Sequence, residues 1–480
     1  MSKPRRTRSS FGLWNGRRLV ATAAALHLML AVGLFIAGRT RIAPTMIDQD
    51  GIIGSVALDS YEYQRDAIQL AELLESGSLA DWLTAARPVH VKIISIPFAI
   101  FGPVFGYGTL AAEPYNLLFY ATIIVLVFAM GHEVFSHRVG LLAGAVVAIY
   151  PSFLLHTTQL LKDPLVVTVS LALVLCMTTC LTRIHCAKSA AVSAVLTMFM
   201  ALLIFLARTD LLIIVFATAL LGLMLLVIRQ VLERRYLFWN MILPLPVILV
   251  MAFFLFGPSD ARMKQFPANQ SGPPKTATAL QVLSLTVRVS SAPKSPTSLA
   301  ARLRRPADAL AERVSGMRNR FTGGYPDAGS SIDSNREFKN LNDLVRYLPR
   351  AMEIGLWAPF PNSWFSARRL VGNAGGLLAG AETFFIYLFQ VLAVCAVMRE
   401  PRRLAGWFLL AIATSAVTAL AVVVPNVGAL YRLRYAFWLM VIIVAMAVVD
   451  PLLVTAFDRL RVRQRVFPPA DDTDSVMRSQ

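Results

Sequence analysis

Carboxylates and cations collect at a few short places in this chain, each flanked by apolar sequence. The first is a loop carrying Asp48, Asp50, Asp59, Glu62 and Asp66, within which Leu58-Asp59-Ser60-Tyr61-Glu62-Tyr63-Gln64-Arg65-Asp66 runs into a helical pattern. The second is Lys162-Asp163-Pro164, wedged between two long apolar runs. A carboxylate at a membrane surface can take a proton from an acceptor hydroxyl or amine, or orient it, while a sugar is displaced from a phosphate. Asp59 and Asp163 are the candidates for that work. Glu62 stands beside Asp59, and Tyr61 and Tyr63 offer ring faces for a sugar. A plainer reading exists for each acid: Asp59 with Ser60 and Glu62 fits a helix N-cap, and Lys162-Asp163-Pro164 fits a helix start with proline in its first turn. Ionisable groups near membrane depth are costly and tend to be functional, which tips Asp163 toward chemistry.

A phosphate leaving group needs cations, because phosphate is held by charge-assisted hydrogen bonds. The candidates are Arg87, His90 and Lys92 in one stretch, Lys162 beside Asp163, Arg208 at the end of an apolar run, and Arg432 and Arg434 in Tyr431-Arg432-Leu433-Arg434-Tyr435. Any one of these alone fits an ordinary residue snorkelling to an interface. Their placement on one side of a membrane, argued next from charge, makes the set harder to dismiss. Arg346 and Arg350 are weaker candidates of the same kind.

The elements that must position these groups are membrane helices. The chain has 480 residues, 56% of them hydrophobic and only 15% charged, with a mean hydropathy of +0.60; an ordinary soluble protein is excluded. The net charge of +18 comes from Lys and Arg in short stretches beside apolar runs, the pattern of cytoplasmic loops, so nucleic acid is not needed to explain it. Cys176, Cys180, Cys186 and Cys395 form no C-x-x-C pair and indicate neither a disulfide framework nor a zinc site. The histidines form no metal set with the acids, so no metal ligands are assigned; the cofactor stays open, with a divalent cation compatible but without a dedicated motif. No Walker loop, dinucleotide fingerprint or Gly-x-Ser-x-Gly elbow stands in a credible context.

On the criterion of roughly 20 apolar residues, candidate spans fall near 19–38, 91–110, 115–133, 139–157, 164–182, 189–207, 211–228, 237–256, 376–398, 405–424 and 433–455. Basic residues precede the first, which reads as an uncleaved span with a cytoplasmic N-terminus. Arg459, Arg461, Arg463 and Arg465 place the C-terminal tail on the same side. An even number of crossings is then required. Segment 91–110, broken by Lys92, Pro97, Gly102 and Pro103, is the weakest and reads as juxtamembrane or re-entrant. About ten spans remain, and Arg138, Arg183, Lys188, Arg229, Arg234, Arg235, Arg399, Arg402 and Arg403 then all fall inside.

The expected organisation is an N-terminal membrane module over 1–256 with an acidic outer loop at 39–90. An outer (periplasmic) loop follows over 257–372, then C-terminal spans over 373–458 and a cytoplasmic tail over 459–480. Within the long loop, 258–331 is rich in Pro, Ser, Ala and Arg, with an amphipathic helix near 297–319. Leu341, Leu344, Val345, Leu348 and Met352 recur at helical spacing before Trp357, Phe360, Trp364 and Phe365; such a stretch is expected in the membrane interface.

The arrangement resembles the GT-C superfamily of integral-membrane glycosyltransferases, in particular the family 39-like group of protein O-mannosyltransferases, ArnT and Rgt-type transferases. The residues that carry the resemblance are the acidic loop around Asp59, Arg87-Pro88-Val89-His90-Val91-Lys92 running into Phe101-Gly102, the stretch from Phe135-Ser136-His137-Arg138 to Pro151, Lys162-Asp163, and Tyr431-Arg432-Leu433-Arg434-Tyr435. It covers mainly 15–230. It implies an all-α, GT-C-like multi-pass enzyme that moves a sugar from a polyprenyl-phosphate donor to a glycan, lipid or protein acceptor on the outer face. Asp59 would be the catalytic carboxylate, Asp163 the second acid, and Lys92, His90 or Arg87 the cation on the donor phosphate. Two departures stand out: Asp59-Ser60 replaces the paired acids common in the mannosyltransferases, and Arg87-Pro88-Val89 replaces the Lys-Pro-Pro of ArnT. The competing readings are an O-antigen or exopolysaccharide polymerase or ligase, which would depend on Arg346 or Arg350, and a non-enzymatic export or flippase component, which would need charges at mid-membrane, where Glu382 is the main one. The abundance of Arg over Lys fits a bacterial inner membrane.

Overall fold

Long apolar runs become helices in a bilayer because each backbone amide must find its partner within its own segment. The computed structural model describes residues 11–54, 57–208, 211–256, 299–324, 330–365 and 372–466, and these are helical, with no strands among the described residues. The first half contains α1 (Phe11–Thr40), α2 (Ser60–Glu75), α3 (Leu79–Thr84), α4 (Val89–Phe105), α5 (Glu113–Val134), α6 (His137–Ala148), α7 (Pro151–Thr157), α8 (Asp163–Thr182), α9 (Ala187–Ala207), α10 (Leu212–Glu233), α11 (Phe238–Ile242) and α12 (Leu245–Phe256). The second half contains α13 (Leu299–Gly324), α14 (Leu341–Trp357), α15 (Gly372–Arg399), α16 (Leu404–Val423), α17 (Val427–Leu433) and α18 (Tyr435–Val466).

Eight helices among the described residues are long and apolar enough to cross a membrane, and the protein is a multi-pass membrane protein. A ninth span results if α6 and α7 are one crossing, bent by 69° at Ile149-Tyr150, where Pro151 cannot continue the α6 hydrogen-bond ladder. One expected span looks different in the structure, and the segment not expected to cross is a short helix. Residues 237–256 divide into α11 and α12 around Leu243-Pro244, and neither piece approaches the roughly 20 residues of a straight crossing. Segment 91–110 is the 17-residue α4, which contains Pro97 and Pro103 and stops at Gly106, whose φ of 81° suits glycine.

The core is organised around α18. Its residues from Tyr435 to Met446 are almost wholly buried, and α15, α16 and α6 pack around it. Close approach of α5 and α6 depends on a glycine pair: a Cβ on Gly131 would sit 2.8 Å from the Cα of Gly140. A smaller cluster, with Ala67 and Leu70 of α2 against Ile94 and Phe98 of α4, forms a cap at one end of the bundle. The expected helix near 297–319 is α13, and its Arg318 is fully buried, donating to the carbonyls of Val422 at 2.8 Å and Asp333 at 2.7 Å. Ile332 N donates to Pro425 O and Val427 N to Ser330 O, so the segment before α14 is tied to the linker after α16. Residues 258–298 of the Pro- and Ser-rich stretch and residues 467–480 of the tail lie outside the described residues.

Candidate functional site

Asp59 immediately precedes α2, yet its side chain makes no cap bond to that helix. It instead accepts a hydrogen bond from Arg432 Nη2 at 3.0 Å, across 373 positions of sequence. The N-cap reading of Asp59 therefore does not describe where its carboxylate goes. Arg432 sits in the short helix α17, held at its start by Asn426, whose side chain accepts from the amides of Gly428 and Ala429. Its other terminal nitrogen, Nη1, lies 3.9 Å from Asp163 Oδ2. One guanidinium thus faces both candidate acids.

Asp163 is the first residue of α8 and is buried, with Pro164 fixing the first turn behind it. Arg208, where the chain leaves α9 in an extended conformation, places Nη2 3.8 Å from Asp163 Oδ1. Both guanidinium contacts to Asp163 lie beyond hydrogen-bond reach. The carboxylate is held in a cationic field without being directly bonded to it, and a shallow cleft lined by Asp163, Ser170, Arg208, Leu211, Arg432 and Phe437 opens there.

Around this centre several polar atoms are fully buried and make no hydrogen bond: Nε and Nη1 of Arg208, Nε2 of His90, the hydroxyl of Tyr115 and Oγ of Ser60. Buried donors without partners each cost about 1–3 kcal/mol, so a concentration of them marks a place where something else binds. His90, in the first turn of α4, is pushed down to about 3 by burial first and then by the nearby charges of Lys162 and Arg208; it is a neutral imidazole at neutral pH. The Tyr63 ring meets His90 edge-on at 4.6 Å, and burial, with Asp59 and Asp163 nearby, raises the phenol above its ordinary range. His156 of α7 and Tyr435 of α18 complete the enclosure through a 2.9 Å contact between Tyr435 Oη and His156 Nδ1. With Lys162 in range, the formal charges are Asp59 and Asp163 against Lys162, Arg208 and Arg432, a surplus of one positive charge from 3 − 2.

Six of the sequence candidates therefore converge: Asp59, His90, Lys162, Asp163, Arg208 and Arg432. Five are placed elsewhere. Arg87 pairs with Asp66 at 3.1 Å and Gln69 at 2.8 Å on an exposed edge of the cap. Lys92 donates to Leu83 O at 2.8 Å and lies over the Trp82 ring. Glu62 is exposed, and Tyr61 turns toward Asp48 and Asp50, which with burial raise its phenol. Arg434 is 1% exposed and points away from Arg432, donating to Gly355 O at 2.8 Å between the rings of Tyr431 and Trp438. Successive residues of a helix face different ways, and that periodicity separates two arginines only two positions apart.

Tyr63, offered by the sequence as a ring face beside Asp59, does lie at this centre, whereas Tyr115, His156 and Tyr435 were not among the sequence candidates. Tyr63 lies one helical turn beyond Asp59; nothing local marks the other three. Among the described residues no group of three His, Cys, Asp or Glu side chains is arranged to hold a metal ion. No family model matches the chain, and neither a curated protein nor a solved structure matches it.

Proposed function

We propose that this protein is a membrane glycosyltransferase of GT-C type that moves a sugar from a polyprenyl-phosphate donor to a glycan, lipid or protein acceptor on the outer face of a bacterial inner membrane. The observation that carries the reading is the meeting of Asp59, Asp163, Arg208 and Arg432 from four distant parts of the chain, with surplus positive charge and unbonded Arg208 donors facing a cleft. Two acids with an excess of cations suit a reaction in which a hydroxyl or amine loses a proton and a phosphate gains charge.

In this reading the acceptor oxygen or nitrogen bonds to the anomeric carbon as the bond from that carbon to the phosphate oxygen breaks. Asp59, oriented by Arg432, takes the acceptor proton. Arg208 and Lys162, together with Arg432, meet the charge that develops on the departing phosphate, the stabilisation that matters most in a water-poor site. Asp163, lying between the two guanidinium groups, offsets their mutual repulsion and holds both near the cleft. His90, neutral and buried, presents Nε2 as a hydrogen-bonding group without adding charge.

The test is to measure lipid-linked sugars and surface glycans in cells making Asp59→Asn, Asp163→Asn or unaltered protein at equal membrane levels. Loss of one glycan modification with accumulation of a polyprenyl-phosphate sugar is expected from both variants. Unchanged glycans with either carboxylate removed overturn the assignment.

A further inference from the structure

Helix α14 belongs to the loop expected outside the bilayer, yet two of its last three carbonyls are bonded by side chains from within a span and the third by Arg434, just before another. Gln390 Nε2 donates to Leu356 O at 2.9 Å, the Tyr387 hydroxyl donates to Trp357 O, and Arg434 Nη1 donates to Gly355 O at 2.8 Å. Tyr387 and Gln390 lie in the middle of the span Gly375–Arg399. Gly355 touches α16 so closely that a Cβ there would sit 2.6 Å from Val417 O. Val417 is six residues short of the end of α16 at Val423, which at 1.5 Å per residue is roughly 9 Å along that span. Half of a hydrocarbon core is about 15 Å. The end of α14 thus sits at a level that the neighbouring helices assign to the membrane.

The surface of α14 divides accordingly. Tyr347, Ala351, Ile354 and Gly355 are buried, and the helix packs along α16. Val345, Leu348 and Met352, three and four residues apart, form an exposed apolar edge beside that buried face. Arg346, Arg350 and Glu353 fall on the far edge, where Arg350 pairs with Glu353 at 2.8 Å and Asp333 at 3.2 Å. Irregular backbone at membrane depth is tolerated only where protein satisfies it. That condition is met here, because each of the last three carbonyls of α14 has a side-chain donor, from α15 or from Arg434 between α17 and α18.

We infer that α14 is a re-entrant helix that enters the bilayer from the side of the candidate site, with its Val345–Leu348–Met352 edge against lipid acyl chains and its Arg346–Arg350–Glu353 edge toward water. The sequence alone placed this stretch flat in the interface; the carbonyl partners place its end deeper. The inference does not depend on the proposed reaction. It does bear on how a lipid would reach the site, since Arg434, which clamps α14, and Arg432, which holds Asp59, sit two residues apart.

The unaltered protein, reconstituted in vesicles of phosphatidylcholine and phosphatidylglycerol with a phospholipid carrying a diazirine on its acyl chain, gives the first test. Irradiation and peptide mapping should find adducts on Val345, Leu348 or Met352 as well as on the exposed Phe384 and Phe385 of α15. Adducts on α15 with none on α14 overturn the inference. A second test places single cysteines, Met352→Cys and Arg346→Cys, in a chain whose four native cysteines are replaced, and follows labelling by a membrane-impermeant maleimide. The Met352 position should react more slowly than Arg346 by an order of magnitude, and equal rates overturn the inference. If the cysteine-free background does not reach the membrane, the lipid-adduct experiment still decides.

Discussion

Helix α8 starts in one charged cluster and ends in another, and the two use the same residue types differently. At its C-terminus the groups are saturated. Glu133 accepts from Thr182 at 2.6 Å and from Arg183 Nε at 2.9 Å. Arg229 Nη1 donates to the carbonyls of Cys180 and Arg183, both at 2.9 Å, and Asn240 Nδ2 donates to the same two carbonyls while its oxygen accepts from His185 N. These side chains take up the orphan carbonyls that a helix end leaves. At the N-terminus of α8, Asp163 faces two guanidinium groups beyond hydrogen-bond reach, and Arg208, His90 and Tyr115 keep buried polar atoms without partners. A buried charge explained by its neighbours is architecture. A buried charge that its neighbours leave unsatisfied is where a ligand should be sought.

The sharpest way to break this contrast is to remove the cation that joins the two acids. Arg432→Gln keeps a polar side chain but removes the charge shared by Asp59 and Asp163. On the proposed transferase reading, glycan transfer per folded molecule should fall on the order of 100-fold or more, the range for a group positioned at the reacting atoms. Glycan profiling normalised to membrane level reads it, and transfer within a fewfold of the unaltered protein would show that the N-terminal cluster of α8 is architecture too. The saturated cluster should respond in the opposite sense. Asn240→Ala leaves the two carbonyls to Arg229 alone and His185 N without its acceptor, a loss of about 1–3 kcal/mol in stability, visible as a lowered melting temperature with transfer per folded molecule retained.

The contrast also explains what the sequence could disclose. Eight of the expected spans were legible because apolar length is a local property, and Asp59, Asp163, Arg208 and Arg432, expected from loop charge on one side of a membrane, meet at one place in the structure. The fate of each cation was not. Arg87 and Lys92 stand in the same short stretch as His90, but only His90 turns inward, and the choice is made by Asp66, Gln69 and Leu83 O, partners whose proximity arises from the packing of the cap. Glu382 was visible as the main charge within a span. Its partners, Ser152 N at 2.7 Å together with the hydroxyls of Ser152 and Tyr431, come from α7 and α17 and could not be read from its own segment. Residues 237–256 are apolar enough to read as one span, but Pro244 and Pro246 fall where the structure divides them into α11 and α12.

His90 sharpens the comparison through pH. Its imidazole is neutral in the folded protein down to about 3, whereas the unfolded chain takes up a proton near 6.5. The unfolded state therefore binds more protons between these values. This group contributes a stability that is constant above about pH 6.5 and falls as pH drops below it, by at most about 1.4 kcal/mol per pH unit. Unfolding measured from pH 8 to pH 5 should show that decline in the unaltered protein and a flatter curve in His90→Gln. Equal slopes would mean that His90 meets water or a ligand that the cluster as described does not hold.

The smallest expected effect tests the edge of the site. Arg87 lies three residues from His90 and was among the cations first considered for the phosphate, but its guanidinium is half-exposed and already engaged by Asp66 and Gln69. A surface pair of this kind contributes roughly 0–1 kcal/mol and is weakened further by salt. Arg87→Ala should shift the melting temperature only slightly, and less at high ionic strength, while transfer stays within a fewfold of the unaltered level. A loss approaching that of Arg432→Gln would require Arg87 to leave Asp66 and swing toward the cleft when substrate arrives. The boundary between saturated and unsatisfied charge would then be a property of the empty protein alone, and the cap formed by α2 and α4 would be a moving part of the site.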